Sequence, residues 1–459
     1  MKELESGTPG YDSHASPKPY DDDTVKAPLA HPSIWLLLAV SLPRMAIQMA
    51  WSAQWAALGP YLSTMLPNFA VQVTQFIGPI VGVLVGPTIG VFSDRTTSRF
   101  GRRRPYLMVA GVGSVICWIA MGYTREMGDA LGDHGNGTDG EETDRTWTSV
   151  FTVFFYLWMD ITVNIVQTPA FLLIADFSGD RQTTGAALGQ AWSTLGSILV
   201  AGYIELIGPA YNSLHGFLGM LSAVMALCVS LACWVAKETP LDKSKMEQVS
   251  ACNRVGHAFG SIYHGLRTLP RDLVGYCAIL FCIQYGYAAY NGNKGQFFGL
   301  EVKSLTITAS VSPAVVLICC TTSLATRIRG LPFLVSKVGV KWVMTISTLP
   351  QTMLLIMAWT SNVTFDVFVV AITGISQSVV MALLVPAVIH VFGQNGEIGV
   401  YVGALNSANC FGQLLNFAIG AAVVDTSLGY KLPVFLGGVM AALSFFIALF
   451  LFKIKMYSM

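Results

Sequence analysis

From Ser33 onward the chain alternates long apolar runs with short polar connections. Crossing about 30 Å of hydrocarbon takes about 20 helical residues at about 1.5 Å each. Twelve runs reach that length: 33–58, 70–92, 106–124, 147–175, 185–208, 214–236, 273–292, 305–326, 342–360, 366–391, 398–424 and 432–453. Lipid offers the backbone no hydrogen-bond partner, so these runs are expected to be helices. A β-barrel would need segments of about ten residues with alternating polarity, a pattern missing here.

The polar connections set an expected orientation through the positive-inside rule. Arg95, Arg99, Arg102, Arg103 and Arg104 follow span 2. Lys237, Lys243, Lys245, Arg254, Arg267 and Arg271 follow span 6, and Arg327, Arg329, Lys337 and Lys341 follow span 8. Residues 125–146, after span 3, instead hold seven acids against Arg125 and Arg145. The even-numbered loops and both termini are therefore expected in the cytosol. Two glycosylation sequons, at Asn136 and Asn362, fall in expected outside loops. Asn362 lies too near the membrane to be a good acceptor.

The longest internal polar stretch divides the runs six and six. The expected organisation is a disordered cytosolic tail 1–32, a six-helix bundle 33–236, a central cytosolic loop 237–272, a second bundle 273–453 and a short tail 454–459. The first tail holds five prolines and the cluster Asp21-Asp22-Asp23, with no apolar core for a signal peptide. Gly185 and Gly189 opening span 5 echo Gly399 and Gly403 opening span 11. With the 6+6 pattern, this points to a two-bundle major-facilitator architecture whose site lies between the halves at mid-membrane.

Composition agrees. Hydrophobic residues make up 53% of 459 and charged residues only 12%, about half the globular norm of about 25%. A soluble chain could not cover its surface with so few charges. The balance of 27 basic and 26 acidic residues leaves no surplus for nucleic acid. Eight of the nine cysteines lie inside apolar runs and Cys252 sits in the central loop, so no secreted disulfide framework is expected.

Candidate chemistry begins with Gly78, Gly82, Gly86 and Gly90 of span 2, one every four residues, lining a groove for close helix packing. Asp94 and Arg95, then Arg102, Arg103 and Arg104, read as a cytosolic gate of ion pairs, with Asp176 of span 4 as a partner. Ionisable groups inside the membrane are costly and therefore informative. Asp160 lies near the middle of span 4, with Asn164 and Gln167 on its face. Arg44 lies in span 1, with Gln48, Trp51, Gln54 and Trp55 following. Counted from the run ends, the two charges sit at equal depth. That reading leaves two alternatives open, a buried salt bridge or a shared aqueous cavity in which Asp160 takes and releases a proton. Amides recur at Gln190, Gln284, Gln377, Asn406, Asn409, Gln413 and Asn416. Amides with aromatic faces suit a neutral hydroxylated ligand, and helix–helix bonding is the plainer role for any single one. No phosphate loop, zinc motif or metal-spaced Cys/His set appears. No enzyme, cofactor, nucleic-acid partner or obligatory protein partner is expected, only a sugar, a coupling proton and the bilayer.

The stretch Ser93-Asp-Arg-Thr-Thr-Ser-Arg-Phe-Gly-Arg-Arg-Arg-Pro-Tyr106 resembles the loop between spans 2 and 3 of sucrose transporters. These are glycoside–pentoside–hexuronide:cation symporters of the major facilitator superfamily. Asp160-x-x-x-Asn164-x-x-Gln167-x-Pro169 resembles their fourth span, and Gln48-x-x-Trp51-x-x-Gln54 before Pro60-Tyr61 their first. Gly403-Ala-Leu-Asn406 with Gly412-Gln413 resembles span 11. The resemblance implies proton-coupled uptake of sucrose or a related neutral α-glucoside, with Asp160 as the protonation site. Plant members carry an arginine where this chain has Phe171, an aspartate before Trp-x-Gly where it reads Gln296-Phe297-Phe298-Gly299, and a histidine where it has Asn68. Arg44 is a candidate to take over the missing arginine's task from another helix and depth, and a non-plant member fits these departures.

The expected assignments are proton coupling to Asp160 and Arg44, and sugar contacts to Gln48, Trp51, Gln54, Asn164, Gln167 and Gln190. The expected location is the plasma membrane, with the vacuolar membrane as the alternative. Competing functions are a facilitator, a cation symporter of another sugar, and a non-transporting sugar sensor.

Overall fold

The structure, a computed structural model, describes residues 32–94, 96–135, 144–208, 210–238, 251–297, 331–360, 362–392, 398–454 and 456. Its long helices are α1 (Ile34–Ser63), α2 (Asn68–Asp94), α3 (Arg104–Gly122), α4 (Thr146–Ser178), α5 (Gln182–Ile207) and α6 (Leu214–Val235). Beyond the central loop come α7 (Arg271–Asn291), α8 (Val340–Met357), α9 (Val363–Phe392), α10 (Ile398–Val423) and α11 (Lys431–Phe450). Among the described residues nine helices are long and apolar enough to cross a membrane. The other two, α5 and α10, have 26 residues each, but their glycines and amides dilute their apolar character. These helices coincide with eleven of the expected runs, α8 to α11 being spans 9 to 12. Span 8 lies outside the described residues. The only β pairing among the described residues is one isolated bridge, His134 to Asp144.

The buried apolar side chains divide as the chain does. One cluster draws its buried members from Val40 to Ala236, and two others draw theirs from Leu273 to Met456. Between these bodies, α2 packs against α10, and an amphipathic helix, Ala251–Arg267, touches both.

Lipid tails are as apolar as leucine, so close contact between small residues has to hold such helices together. The halves use the same device. A Cβ on Gly196 of α5 would collide with the Met45 carbonyl oxygen of α1, and a Cβ on Gly412 of α10 would collide with the Phe281 carbonyl oxygen of α7. Helix α1 also changes winding. Two α-helical stretches, Ile34–Ser41 and Pro43–Ala53, run into a π-helical turn at Gln54–Leu58 before Gly59–Ser63 resumes. Such turns re-aim side chains and recur at functional sites.

The glycine contacts give a stability prediction. Gly196→Ala must push α1 off α5, a clash expected to cost about 1–3 kcal/mol. Gly202→Ala on the same helix meets nothing within 4 Å and gains helix propensity, about 0.5–1 kcal/mol. Thermal unfolding in detergent should show a clear drop for the first and no drop for the second.

Candidate functional site

Helix α1 leaves one stripe partly open. Arg44, Gln48, Trp51, Ser52 and Trp55 are half-buried, while Met45, Ala46, Ile47, Met49, Ala50 and Ala53 between them are buried. The spacing of four, three, one and three residues keeps the open set on one helical face. Trp51 Nε1 donates to Gln167 Oε1 of α4 at 2.9 Å. The Trp51 ring stacks on Trp55, which meets Tyr287 of α7 edge-on at 6.1 Å.

The glycine groove of α2 is filled by the polar face of α4. A Cβ on Gly78 would lie 3.4 Å from Asp160 Oδ1. From Gly82 the distance is 3.7 Å to Asn164 Oδ1, and from Gly86 it is 3.8 Å to Thr168 Oγ1. Asp160 is fully buried there. Its Oδ1 accepts from Gln54 Nε2 at 3.0 Å, and the same amide donates to the Tyr156 hydroxyl at 2.7 Å. Asp160 Oδ2 has no hydrogen-bond partner among the described residues. Asn164 turns its Nδ2 to the Asp160 carbonyl at 2.8 Å. The π-helical turn starts at Gln54, which lies off the open stripe and turns its side chain to Asp160.

Arg44 lies elsewhere. Its guanidinium carbon sits 4.1 Å above the Phe171 ring, and Nη2 reaches Gln190 Oε1 at 3.5 Å. Phe171 follows Asp160 by eleven residues on α4, about 16 Å along the axis at about 1.5 Å per residue. The expectation of equal depth is therefore corrected: Arg44 joins Gln190 and Phe171, and Gln54 is the residue level with Asp160.

At the end of the bundle nearest the arginine loop, Arg103 Nε and Arg102 Nη2 face Asp176 Oδ2 at 3.2 and 3.6 Å, and Arg103 Nη1 donates to Ser93 Oγ at 2.7 Å. The Asp94 side chain and Arg95 lie outside the described residues. Glu238, beyond α6, completes the cluster by accepting from the backbone amides of Arg103 and Arg104 at 3.0–3.1 Å, which caps α3. Gly101, at φ 104°, makes room, because a Cβ there would strike the Glu238 side chain.

At the opposite end, neutral amides join the two halves. Gln72 Nε2 donates to Asn293 Oδ1, and Gln75 Nε2 to the Gly292 carbonyl at 3.2 Å. Gln296 Nε2 donates to Ser63 Oγ at 3.2 Å, and the Tyr430 hydroxyl to Asn68 Oδ1 at 3.1 Å. Gln72, Gln75, Asn293 and Gln296 are all buried.

A family model described as "MFS/sugar transport protein" matches residues 39–432. The chain belongs to this family. Among curated relatives, the sucrose transport protein SUC3 of Arabidopsis thaliana is 28% identical over 267 residues, covering 54% of this chain and 45% of the relative. The sucrose transport protein SUT1 of Oryza sativa subsp. japonica is 32% identical over 250 residues, covering 50% of this chain and 46% of the relative. The chain thus spans about half the length of the curated relatives it matches. Among solved structures, the nucleoside transporter NupG aligns at TM-score 0.59 and 15% identity, over 92% of this chain and all of that one. The xylose transporter XylE from E. coli, in a partially occluded inward open conformation, aligns at 0.59 and 16%, over 90% of this chain and 98% of that one. At these identities the structures establish the fold. This MFS protein thus carries two contrasting ends, one of ion pairs and one of amides.

Sequence reasoning overlooked Glu238 and the amides Gln72, Gln75 and Asn293. An acid just past a span, 134 residues from Arg104, carries no local signal of the helix it caps. Of the sequons, Asn136 lies outside the described residues, and Asn362 spends its Oδ1 on the Phe365 amide at 3.2 Å, opening α9.

Glu238 gives a pH prediction. Burial pushes its carboxyl above the ordinary value, against the amides of Arg104 and Arg103. The folded state then binds this proton more tightly than the unfolded chain. The resulting stability is complete below the ordinary glutamate value and is lost as pH rises through the raised one. E238Q does not titrate. The melting temperature of E238Q minus that of wild type should therefore increase with pH across that window.

Proposed function

We propose that this protein is a proton-coupled symporter of sucrose or a related neutral α-glucoside, working by alternating access. Twelve spans would form two bundles, 33–236 and 273–453, with both termini cytosolic and the arginine loop on the cytosolic side. The amide contacts then lie on the outer side. The expected setting is the plasma membrane, and the substrate and the bilayer are the only partners required.

The observation that carries this reading is the seat of Asp160. A carboxyl group is fully buried between α1 and the glycine groove of α2, with one oxygen held by Gln54 and the other unpartnered among the described residues. Burying an unpaired charge is expensive, so the closed seat suits the neutral acid. Admission of water to the seat would let the proton leave. The seat adjoins the partly open face of Gln48 and Trp51 through Gln167 on α4, so one movement of α1 against α4 would reach both proton and sugar. Trp51 and Trp55 offer flat faces to sugar C–H surfaces, while Gln48, Asn164, Gln167 and Gln190 offer hydroxyl partners. Arg44, beside Gln190, would hold hydroxyls nearer the cytosol.

Sucrose names in curated relatives support the substrate class. One charge moved inward through 100 mV supplies about 2.3 kcal/mol, enough for about 50-fold accumulation. Uptake of radiolabelled sucrose into proteoliposomes tests the reading. Wild type should accumulate sucrose under an inward proton gradient and lose the accumulation with a protonophore. Asp160→Asn should only equilibrate it. Full uphill transport by Asp160→Asn would refute the assignment.

A further inference from the structure

Helix α10 crosses the molecule with four amides on one side. Asn406, Asn409, Gln413 and Asn416 are spaced three, four and three apart, which places them within one face. The first three bond to one another: Asn409 Nδ2 donates to Asn406 Oδ1 at 3.3 Å, and Gln413 Nε2 to Asn409 Oδ1 at 2.9 Å. Asn406 is exposed, Asn409 and Gln413 are half-buried, and Asn416 is buried. This gradient runs inward from the end where α10 begins.

The ladder does not face lipid. Among the described residues, Leu415 and Phe411 are the large apolar side chains this helix exposes. Leu415 lies nine residues from Asn406, which at about 100° per residue is half a turn away. The packing contacts fix the other directions. A Cβ on Gly82 of α2 would lie 3.6 Å from Cys410 Sγ, and one on Gly412 would strike the Phe281 carbonyl of α7. The four amides fall in the arc between those two contacts, inside the bundle. A Cβ on Gly82 would also lie 3.7 Å from Asn164 Oδ1 of α4, so α2 runs between this side of α10 and the Asp160 face.

Asn416 is 1% exposed, yet neither its Nδ2 nor its Oδ1 has a partner among the described residues, and the same holds for both amide atoms of Gln284 on α7. On α7, Gln284 lies between the face touching α10, at Phe281 and Tyr285, and Tyr287, which touches Trp55. Buried amides are almost always hydrogen-bonded. Four unpartnered donor and acceptor atoms on facing helices mark a place where a polyhydroxylated ligand supplies the missing bonds.

We propose that the α10 ladder, with Asn416 at its deep end, is the C-terminal half's sugar-binding surface and sets which hydroxyl pattern is accepted. This rests on the sugar-transport reading above. A hydroxyl is both donor and acceptor, as is an amide, so a ladder of amides favours polyols and sugars over ions.

The test uses purified full-length protein, sucrose as the probe and two readouts: the sucrose-induced rise in melting temperature and the apparent Kd. Wild type should show both. Gln413→Ala should weaken binding about fivefold to tenfold, the effect of one neutral hydrogen bond. For one monodeoxy-sucrose it should cost nothing further, which identifies the hydroxyl it holds. Asn416→Leu removes two unpartnered buried atoms. It should be at least as heat-stable as wild type without sugar, yet show no sucrose-induced rise. A structural role predicts the reverse: a less stable apo protein with sugar binding intact. Leu415→Ala, on the opposite face, should bind as wild type does. Normal sucrose affinity in both amide variants would overturn the ladder while leaving the transport reading intact. No response in wild type to sucrose or other glucosides would overturn the transport reading, and the ladder with it.

Discussion

Asp160 occupies the middle of a helix in a solvent that cannot stabilise its charge, and three features make that tolerable. The glycines of α2 let the two backbones approach until the carboxyl fills the groove. Gln54, at the end of the regular α-helical stretch of α1, donates to one oxygen. Tyr156 shares the same amide. The second oxygen remains unpartnered among the described residues, and the proposed proton exchange rests on it. Filling a groove with a polar face also ties α4 to α2, and α2 in turn packs against α10 of the other half.

The two ends are fastened by different physics. The arginine end uses charge, with Asp176 facing Arg102 and Arg103 while Glu238 accepts from the backbone amides of Arg103 and Arg104. That cluster lies within the N-terminal half, where it secures the starts and ends of α2, α3, α4 and α6. The opposite end uses neutral amides across the halves. Each such bond is worth about 1 kcal/mol net, so the few described sum to an energy that differential binding of a sugar and a proton can outweigh. Fastening by amides also makes this junction indifferent to salt and to moderate pH change.

Much of the architecture was legible from the chain because lipid leaves so few choices. Apolar length alone located eleven of the described helices, and the glycine period in span 2 correctly announced a groove. What fills the groove was not legible, since periodicity gives a face and not its partner. Depth was the clearest failure. Arg44 and Asp160 were counted from the ends of apolar runs, but α1 continues to Ser63 through Pro60, and α1 and α4 run in opposite directions. Measured from the arginine end, Arg44 lies ten residues in, from Ile34, and Asp160 eighteen, from Ser178. That Gln54 turns to Asp160 was not legible either, because the helical period gives its direction and not its partner. Glu238 acts on a helix start far away in sequence, and no local pattern encodes that.

The central claim is that a proton accompanies each sugar through the Asp160 seat. Its most direct test is external pH during sucrose entry into proteoliposomes with no imposed proton gradient and the membrane potential clamped. Inward movement of sucrose down its own gradient should alkalinise the outside medium, with about one proton consumed per sugar. The signal should vanish in Asp160→Asn. Sucrose entry without any pH change in the wild-type protein would contradict the account.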